Sequence, residues 1–174
     1  MQTVQTLARP VKMLVMDVDG VLTDGSIYLT DSGDELKAFN SQDGLGLTLL
    51  RKSGVALAII SGRKARCVEV RAQALGVAHV YQGIGNKAEA FAQLLADTGL
   101  SAADCAYIGD DVIDLPVMRQ VGFAVAVPDA PNLVRSHAHY VTGSAGGRGA
   151  VRELCELILH AQGKLDDALA VYLA

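Results

Sequence analysis

The chain of 174 residues has no tryptophan, few other aromatics, four prolines, three cysteines and no apolar run as long as a membrane span. It also lacks a basic excess: 15 lysines and arginines face 19 aspartates and glutamates, a net charge of −4. Each shortage excludes something. Without basic surplus there is little to release counterions, so nucleic acid is not the expected partner. Without a span of about 20 apolar residues no membrane helix is expected. Cys67, Cys105 and Cys155 are odd in number, widely spaced and form no CxxC, which argues against a disulfide framework and for a reducing cytoplasm. Each sits in an apolar helix or strand pattern and reads as a small buried thiol. Residues 1–9 lack the basic start, apolar stretch and cleavage site of a signal peptide, and residues 1–10 read as a loosely held lead-in.

What is present is a chain that is half apolar and long enough for one domain with a sizeable core, taken as residues 1–174. Residues 11–16 are apolar at five of six positions and run into Asp17 and Asp19, with Gly20 closing the turn. A short run apolar on both faces reads as a central strand of a parallel sheet. In such sheets ligands bind beyond the carboxyl ends of the strands. Two carboxylates so close repel, and at pH 7 they call for a cation or a shared proton.

Downstream, 26–30 and 36–39 read as a small hairpin around the turn at Asp31-Ser32-Gly33-Asp34, a flap within 26–39. A helix over 43–53, a strand at 55–60 ending in Ser61-Gly62-Arg63, and a helix up to Gly76 follow. Then come a strand at 78–82, a helix at 87–98, a strand at 105–108 ending in Gly109-Asp110-Asp111, and a helix near 113–121. A strand at 123–127, a short helix near 131–135, a strand at 140–141 and a long helix at 150–162 complete the pattern. Strand and helix alternate, which predicts an α/β fold: a three-layer, doubly wound parallel sheet. The tail 163–174 carries Leu165, Leu169, Val171, Tyr172 and Leu173, and an apolar terminus of this kind is expected to dock.

Parallel strands put their carboxyl ends on one edge, so Asp17, Asp19, Ser61, Lys87, Asp110, Asp111 and Asp114 can converge. Carboxylates suit Mg²⁺, which keeps waters and a substrate phosphate; lysine and hydroxyl suit phosphoryl oxygens. Together they spell phosphoryl transfer through an aspartyl-phosphate. Other readings stand beside this. Asp before Gly is ordinary turn chemistry, and Asp114 could cap a helix or support a metal site from outside its ligands. Asp110 and Asp111, adjacent, point different ways. A calcium loop fits poorly, since Gly20 is too early and Tyr28 stands at the bidentate position. Gly83-Ile84-Gly85-Asn86-Lys87-Ala88 loosely matches a dinucleotide fingerprint, but it does not follow the first strand and no strand-end acid follows. His79, His137, His139 and His160 form no ligand cluster. Residues 143–149 could cradle an anion with Arg148, or serve only as a connector.

Asp17-Val18-Asp19-Gly20-Val21, Ser61-Gly62-Arg63, Lys87 and Gly109-Asp110-Asp111 with Asp114 resemble the four signature motifs of the haloacid dehalogenase superfamily of phosphatases. Asp24-Gly25, Leu36-Lys37-Ala38-Phe39-Asn40, Asp43-Gly44, Tyr81-Gln82-Gly83 and the run from Gly146 to Glu153 are similar to its capless branch acting on KDO 8-phosphate (3-deoxy-D-manno-octulosonate 8-phosphate), a precursor of lipopolysaccharide sugar in Gram-negative bacteria. The resemblance implies Asp17 as nucleophile and Asp19 as general acid and base. It implies Mg²⁺ on Asp17, the Asp19 carbonyl and Asp110, with Asp111 and Asp114 in the outer shell, and Ser61 and Lys87 on phosphoryl oxygens. It implies substrate contacts at Asp19, Asn40, Ser41, Gln42, Asp43, Gly44, Arg63, Arg71 and Lys87, and a homotetramer in which a neighbour's hairpin and tail help close each site. Gln42 departs from the branch, which carries arginine there; glutamine cannot supply that charge. A nine-carbon ulosonate 9-phosphate is therefore the alternative substrate, and a non-catalytic binding module or a dinucleotide oxidoreductase the alternative classes.

Overall fold

The computed structural model describes residues 3–173. Its spine is a six-stranded sheet in the order β5-β4-β1-β6-β7-β8, formed by β1 (Met13–Met16), β4 (Ala56–Ile60), β5 (His79–Tyr81), β6 (Cys105–Gly109), β7 (Phe123–Ala126) and β8 (Tyr140–Val141). Every pairing in it is parallel, with Met13 beside both Ala56 and Cys105. β1, β6 and β7 are buried at every position, because helices cover both faces and each face demands apolar side chains. The strand order runs outward in both directions from β1, so the crevice at its end is a topological switch point. The fold class expected from strand–helix alternation is the one found.

A separate two-stranded antiparallel ribbon, β2 (Tyr28–Leu29) and β3 (Glu35–Leu36), follows β1 directly. Among the helices, α2 (Ser41–Lys52) and α7 (Ala150–Ala161) pack most extensively against each other, while α4 (Lys87–Thr98) lies beside α5 (Leu115–Met118). α3 (Arg66–Leu75) and α6 (Asn132–Ser136) complete the alternation. α2 begins at Ser41, two residues before the expected start, because the Asn40 side chain accepts from the amides of Gln42 (2.7 Å) and Asp43 (3.3 Å) as an N-cap. Where 113–121 read as one helix, a 3₁₀ turn at Val112–Asp114 precedes the single turn of α5, with Asp111 and Asp114 forming a reciprocal cap.

Two differences lie at the ends. The lead-in is not loose: α1 (Val4–Ala8) packs on α7, Ala8 is fully buried, Arg9 Nε donates to the Ala161 carbonyl (3.3 Å) and Gln162 donates to that of Val11 (2.7 Å). One helical turn is too short to show periodicity in sequence. After Gly163, whose φ of +66° ends α7, the tail forms α8 (Leu165–Ala170), which docks on its own core through Leu165, Ala168 and Leu169, while Val171, Tyr172 and Leu173 stand exposed. Cys105 and Cys155 are buried, Cys67 is half-buried, and none is paired. Among the described residues no helix is long and apolar enough to cross a membrane.

Candidate active site

Asp17 leaves the end of β1 almost buried, its Oδ1 accepting from the Val18 amide at 2.6 Å. Lys87, the first residue of α4, extends its side chain inward: Nζ lies 2.8 Å from Asp17 Oδ2 and 2.6 Å from Asp114 Oδ1. A helix N-terminus disfavours a cation, so the two carboxylates hold Lys87 there against the helix dipole. Burial pulls the Lys87 ammonium down, but Asp114 and Asp17 outweigh it and keep its pKa above the ordinary lysine value.

Asp114 is fully buried and saturated. Oδ1 takes Lys87 and the Tyr107 hydroxyl, each at 2.6 Å, and Oδ2 takes the amides of Asp110 (3.0 Å) and Asp111 (3.2 Å). A carboxylate offers about four lone-pair sites, and all are used. Oxygens of Asp17, Asp110 and Asp114 lie within 4.8 Å of one another. The free acceptor capacity in that group lies on Asp17 and Asp110; no described hydrogen bond ends on the Asp110 carboxylate, though Gly20, at φ +83°, backs it so closely that a Cβ would stand 2.1 Å from Oδ2. Burial, then repulsion from Asp114, raises Asp17 to about 6. Burial, then Asp114 and Asp17, raises Asp110 to about 8. This is uncompensated negative potential, and a hard divalent cation between Asp17 and Asp110 fits it. Asp111 faces out and caps Val112, so the adjacent pair does point two ways.

Ser61 at the end of β4, together with Asp17, Asp19, Arg63, Asp110 and Asp111, lines a cleft of about 160 Å³. Asp19 is claimed from outside by Lys37, whose ammonium bonds Asp19 Oδ1 and stands 3.2 Å from Glu35 Oε2. Glu35 in turn accepts from Arg63 through Nε (3.2 Å) and Nη2. Neither Lys37, Glu35 nor Tyr107 was expected at the site. Lys37 follows a two-residue strand with no periodic signal, and Tyr107 reads as core.

The remaining expected contacts divide. Ser41 and Gln42 are exposed at the start of α2, and Asn40 bonds the Gly147 carbonyl (3.3 Å). Arg71 bonds the Asn40 carbonyl (3.3 Å) and lies over the Phe39 ring. Asp43 and Gly44 are buried between helices instead of facing the cleft. Asp43 Oδ1 accepts from the Arg152 amide at 2.8 Å, capping α7, whose own N-cap, Gly149, has no side chain to do so. A Cβ on Gly44 would meet Arg71 at 2.2 Å.

The glycine loop 143–149 is likewise occupied by the chain itself. The Gly143 and Ser144 amides (2.8 and 2.9 Å) and the Tyr140 hydroxyl (2.7 Å) all donate to Glu153. Gly146 and Gly147 press on the β1 loop, where a Cβ on Gly146 would lie 1.8 Å from the Gly20 carbonyl oxygen. The loop buttresses the Asp17–Thr23 turn. The fingerprint-like glycines at 83 and 85 follow the edge strand β5 and lead into Lys87. His139 serves structure, its Nδ1 accepting from the Ala124 amide (2.9 Å).

Residues 76–154 match the family of haloacid dehalogenase-like hydrolases. Over 165 residues, 95% of this chain and 88% of the relative, the sequence is 53% identical to the 3-deoxy-D-manno-octulosonate 8-phosphate phosphatase of Salmonella typhi. The corresponding phosphatase of Moraxella catarrhalis, solved with a magnesium ion, a phosphate ion and KDO, superposes with a TM-score of 0.95 at 45% identity over 97% of each chain. That of Yersinia pestis superposes with a TM-score of 0.92 at 52% identity, covering 94% of this chain and 88% of that one. The saturated Asp114, the Asp17–Lys87 pair and these likenesses converge: the chain belongs to the 3-deoxy-D-manno-octulosonate 8-phosphate phosphatase family of haloacid dehalogenase-like hydrolases.

Proposed function

We propose that this enzyme hydrolyses KDO 8-phosphate to KDO and inorganic phosphate through a phosphoryl group carried on Asp17. The observation that carries the chemistry is the Asp17 carboxylate, almost buried, oriented by the Val18 amide and Lys87, and lining the same cleft as Ser61 and Asp110. The substrate is supported by identity of about half the residues, along nearly the whole chain, to phosphatases of that compound.

In this reading an Asp17 oxygen attacks phosphorus in line, and the P–O bond to the sugar breaks. Asp19 gives its proton to the leaving alkoxide, then takes one from the water that cleaves the acyl phosphate, so both groups return to their starting state. Lys87 and the Ser61 hydroxyl hold the non-bridging oxygens as negative charge builds on them. Asp17 and Asp110, with the Asp19 main-chain carbonyl, would hold Mg²⁺, and Asp111 and Asp114 stand behind them. When bound, Mg²⁺ neutralises the carboxylates and draws charge from the phosphoryl oxygens. Asp114 keeps Lys87 aimed, and Tyr107 keeps Asp114 aimed.

Arg63 and Arg71, with Asn40, Ser41 and Gln42 at the start of α2, contact the sugar. Gln42 in place of arginine favours a second reading, a nine-carbon ulosonate 9-phosphate, because glutamine brings no charge to that exposed position. A single domain, residues 1–174, carries all the catalytic groups named above. The exposed apolar hairpin and tail support a homotetramer, and three unpaired cysteines support a cytoplasmic setting. Asp17→Asn should lower phosphate release from KDO 8-phosphate by more than about a thousandfold with the melting temperature retained; substantial residual turnover in the pure variant contradicts the nucleophile.

A further inference from the structure

Four charged side chains stand at the mouth of the cleft, and two come from the hairpin side. Lys37 is 2% exposed at its side chain and Glu35 15%. Lys37 touches Asp19 and Glu35, while Arg63 touches Glu35 alone through two nitrogens on Oε1. Two cations and two anions leave this quartet neutral. Asp19 belongs to the reaction. Glu35 has no assigned part in it, yet it occupies both cations at once.

The position of the leaving group follows from the phosphatase reading above, on which this inference rests. With phosphorus at Asp17 and the ester oxygen at Asp19, the sugar extends past Asp19 toward Lys37 and Arg63. Lys87 cannot serve the sugar, since Asp17 and Asp114 hold it at the base. A hydroxyl does not displace a carboxylate from a guanidinium, but another carboxylate replaces it like for like.

We propose that Glu35 is a built-in stand-in for the substrate's carboxylate, and that Lys37 and Arg63, once Glu35 is displaced, select sugar phosphates bearing a second acid group. An internal competitor lowers apparent affinity by the fraction of time the cations are free. Its removal therefore tightens binding of acidic substrates and does nothing comparable for neutral ones.

The test uses KDO 8-phosphate and glucose 6-phosphate with the native enzyme, Glu35→Gln and Lys37→Met. Glu35→Gln is isosteric and should raise the KM ratio of neutral to acidic substrate roughly three- to tenfold, by lowering KM for KDO 8-phosphate. Lys37→Met should lower that ratio. A ratio unchanged or lowered in Glu35→Gln overturns the stand-in. Calorimetry with KDO, which needs no turnover, reads the same pair: tighter in Glu35→Gln and weaker in Lys37→Met, with equal affinity in all three again overturning it. A native enzyme inactive on KDO 8-phosphate defeats the substrate reading alone, while the calorimetry still decides the role of Glu35.

Discussion

Asp17 and Asp110 carry the main electrostatic load of the site, and their behaviour without metal is a stability statement. Both titrate above the ordinary aspartate value of 3.8, at about 6 and about 8, chiefly because they are buried. As pH rises from about 4 to about 8, the unfolded chain has lost these protons while the folded one still holds them, so the metal-free fold loses stability across that window. Mg²⁺ favours the ionised pair, so it should raise the melting temperature more at pH 8 than at pH 6, read by scanning calorimetry with and without chelator. An equal rise at both values contradicts the placement of the cation. These acids were legible in the sequence because strand ends are: an apolar run that stops at Asp17, at Ser61 or at Asp110 announces itself. Lys37 and Glu35 were not: the hairpin could be read, but which of its side chains meet Asp19 and Arg63 is set only when it folds beside the ends of β1 and β4. The capping role of Asp43 was not legible, because its partner, the Arg152 amide, lies 109 residues away.

At the level of elements, α2 and α7 pack extensively against each other, and Asp43 joins them end to side. Asp43→Ala should cost about 1–2 kcal/mol, the value of a helix cap, seen as a lower denaturation midpoint with unchanged slope. A midpoint equal to that of the native enzyme shows that α7 needs no cap. The glycines of 143–149 gain their meaning here: Gly146 and Gly147 are glycine because the backbones of Gly20 and Thr23 lie against them, a contact invisible until the fold brings residues 20 and 146 together. Alternating strands and helices could be read directly, since buried parallel strands are continuously apolar. α1 could not, because a single turn has no period, and the helix after Asp111 was drawn too long because its first turn bends back to satisfy Asp114.

On the scale of the whole molecule, the proposed reactive groups all lie at the carboxyl ends of the strands, while those proposed to select the substrate lie on the hairpin, at Arg63 and Arg71 and at the start of α2. Chain alternation disclosed the layers, but not that β1 sits between β4 and β6, because strand neighbours depend on which faces the helices cover. Leu173 is 85% exposed and Val171 and Tyr172 more than half exposed, an apolar end with no cover within its own chain among the described residues. Deleting residues 164–174 should change the sedimentation coefficient by more than the lost mass explains or cut kcat/KM severalfold; a truncated enzyme matching the native one in both contradicts a docking tail. The central claim is tested most directly by Mg²⁺-dependent phosphate release across a panel holding KDO 8-phosphate, nine-carbon ulosonate 9-phosphates and neutral sugar phosphates. KDO 8-phosphate should show the highest kcat/KM, lost on chelation and restored by Mg²⁺; a preference for any other member, or release that ignores chelation, contradicts a Mg²⁺-dependent KDO 8-phosphate phosphatase.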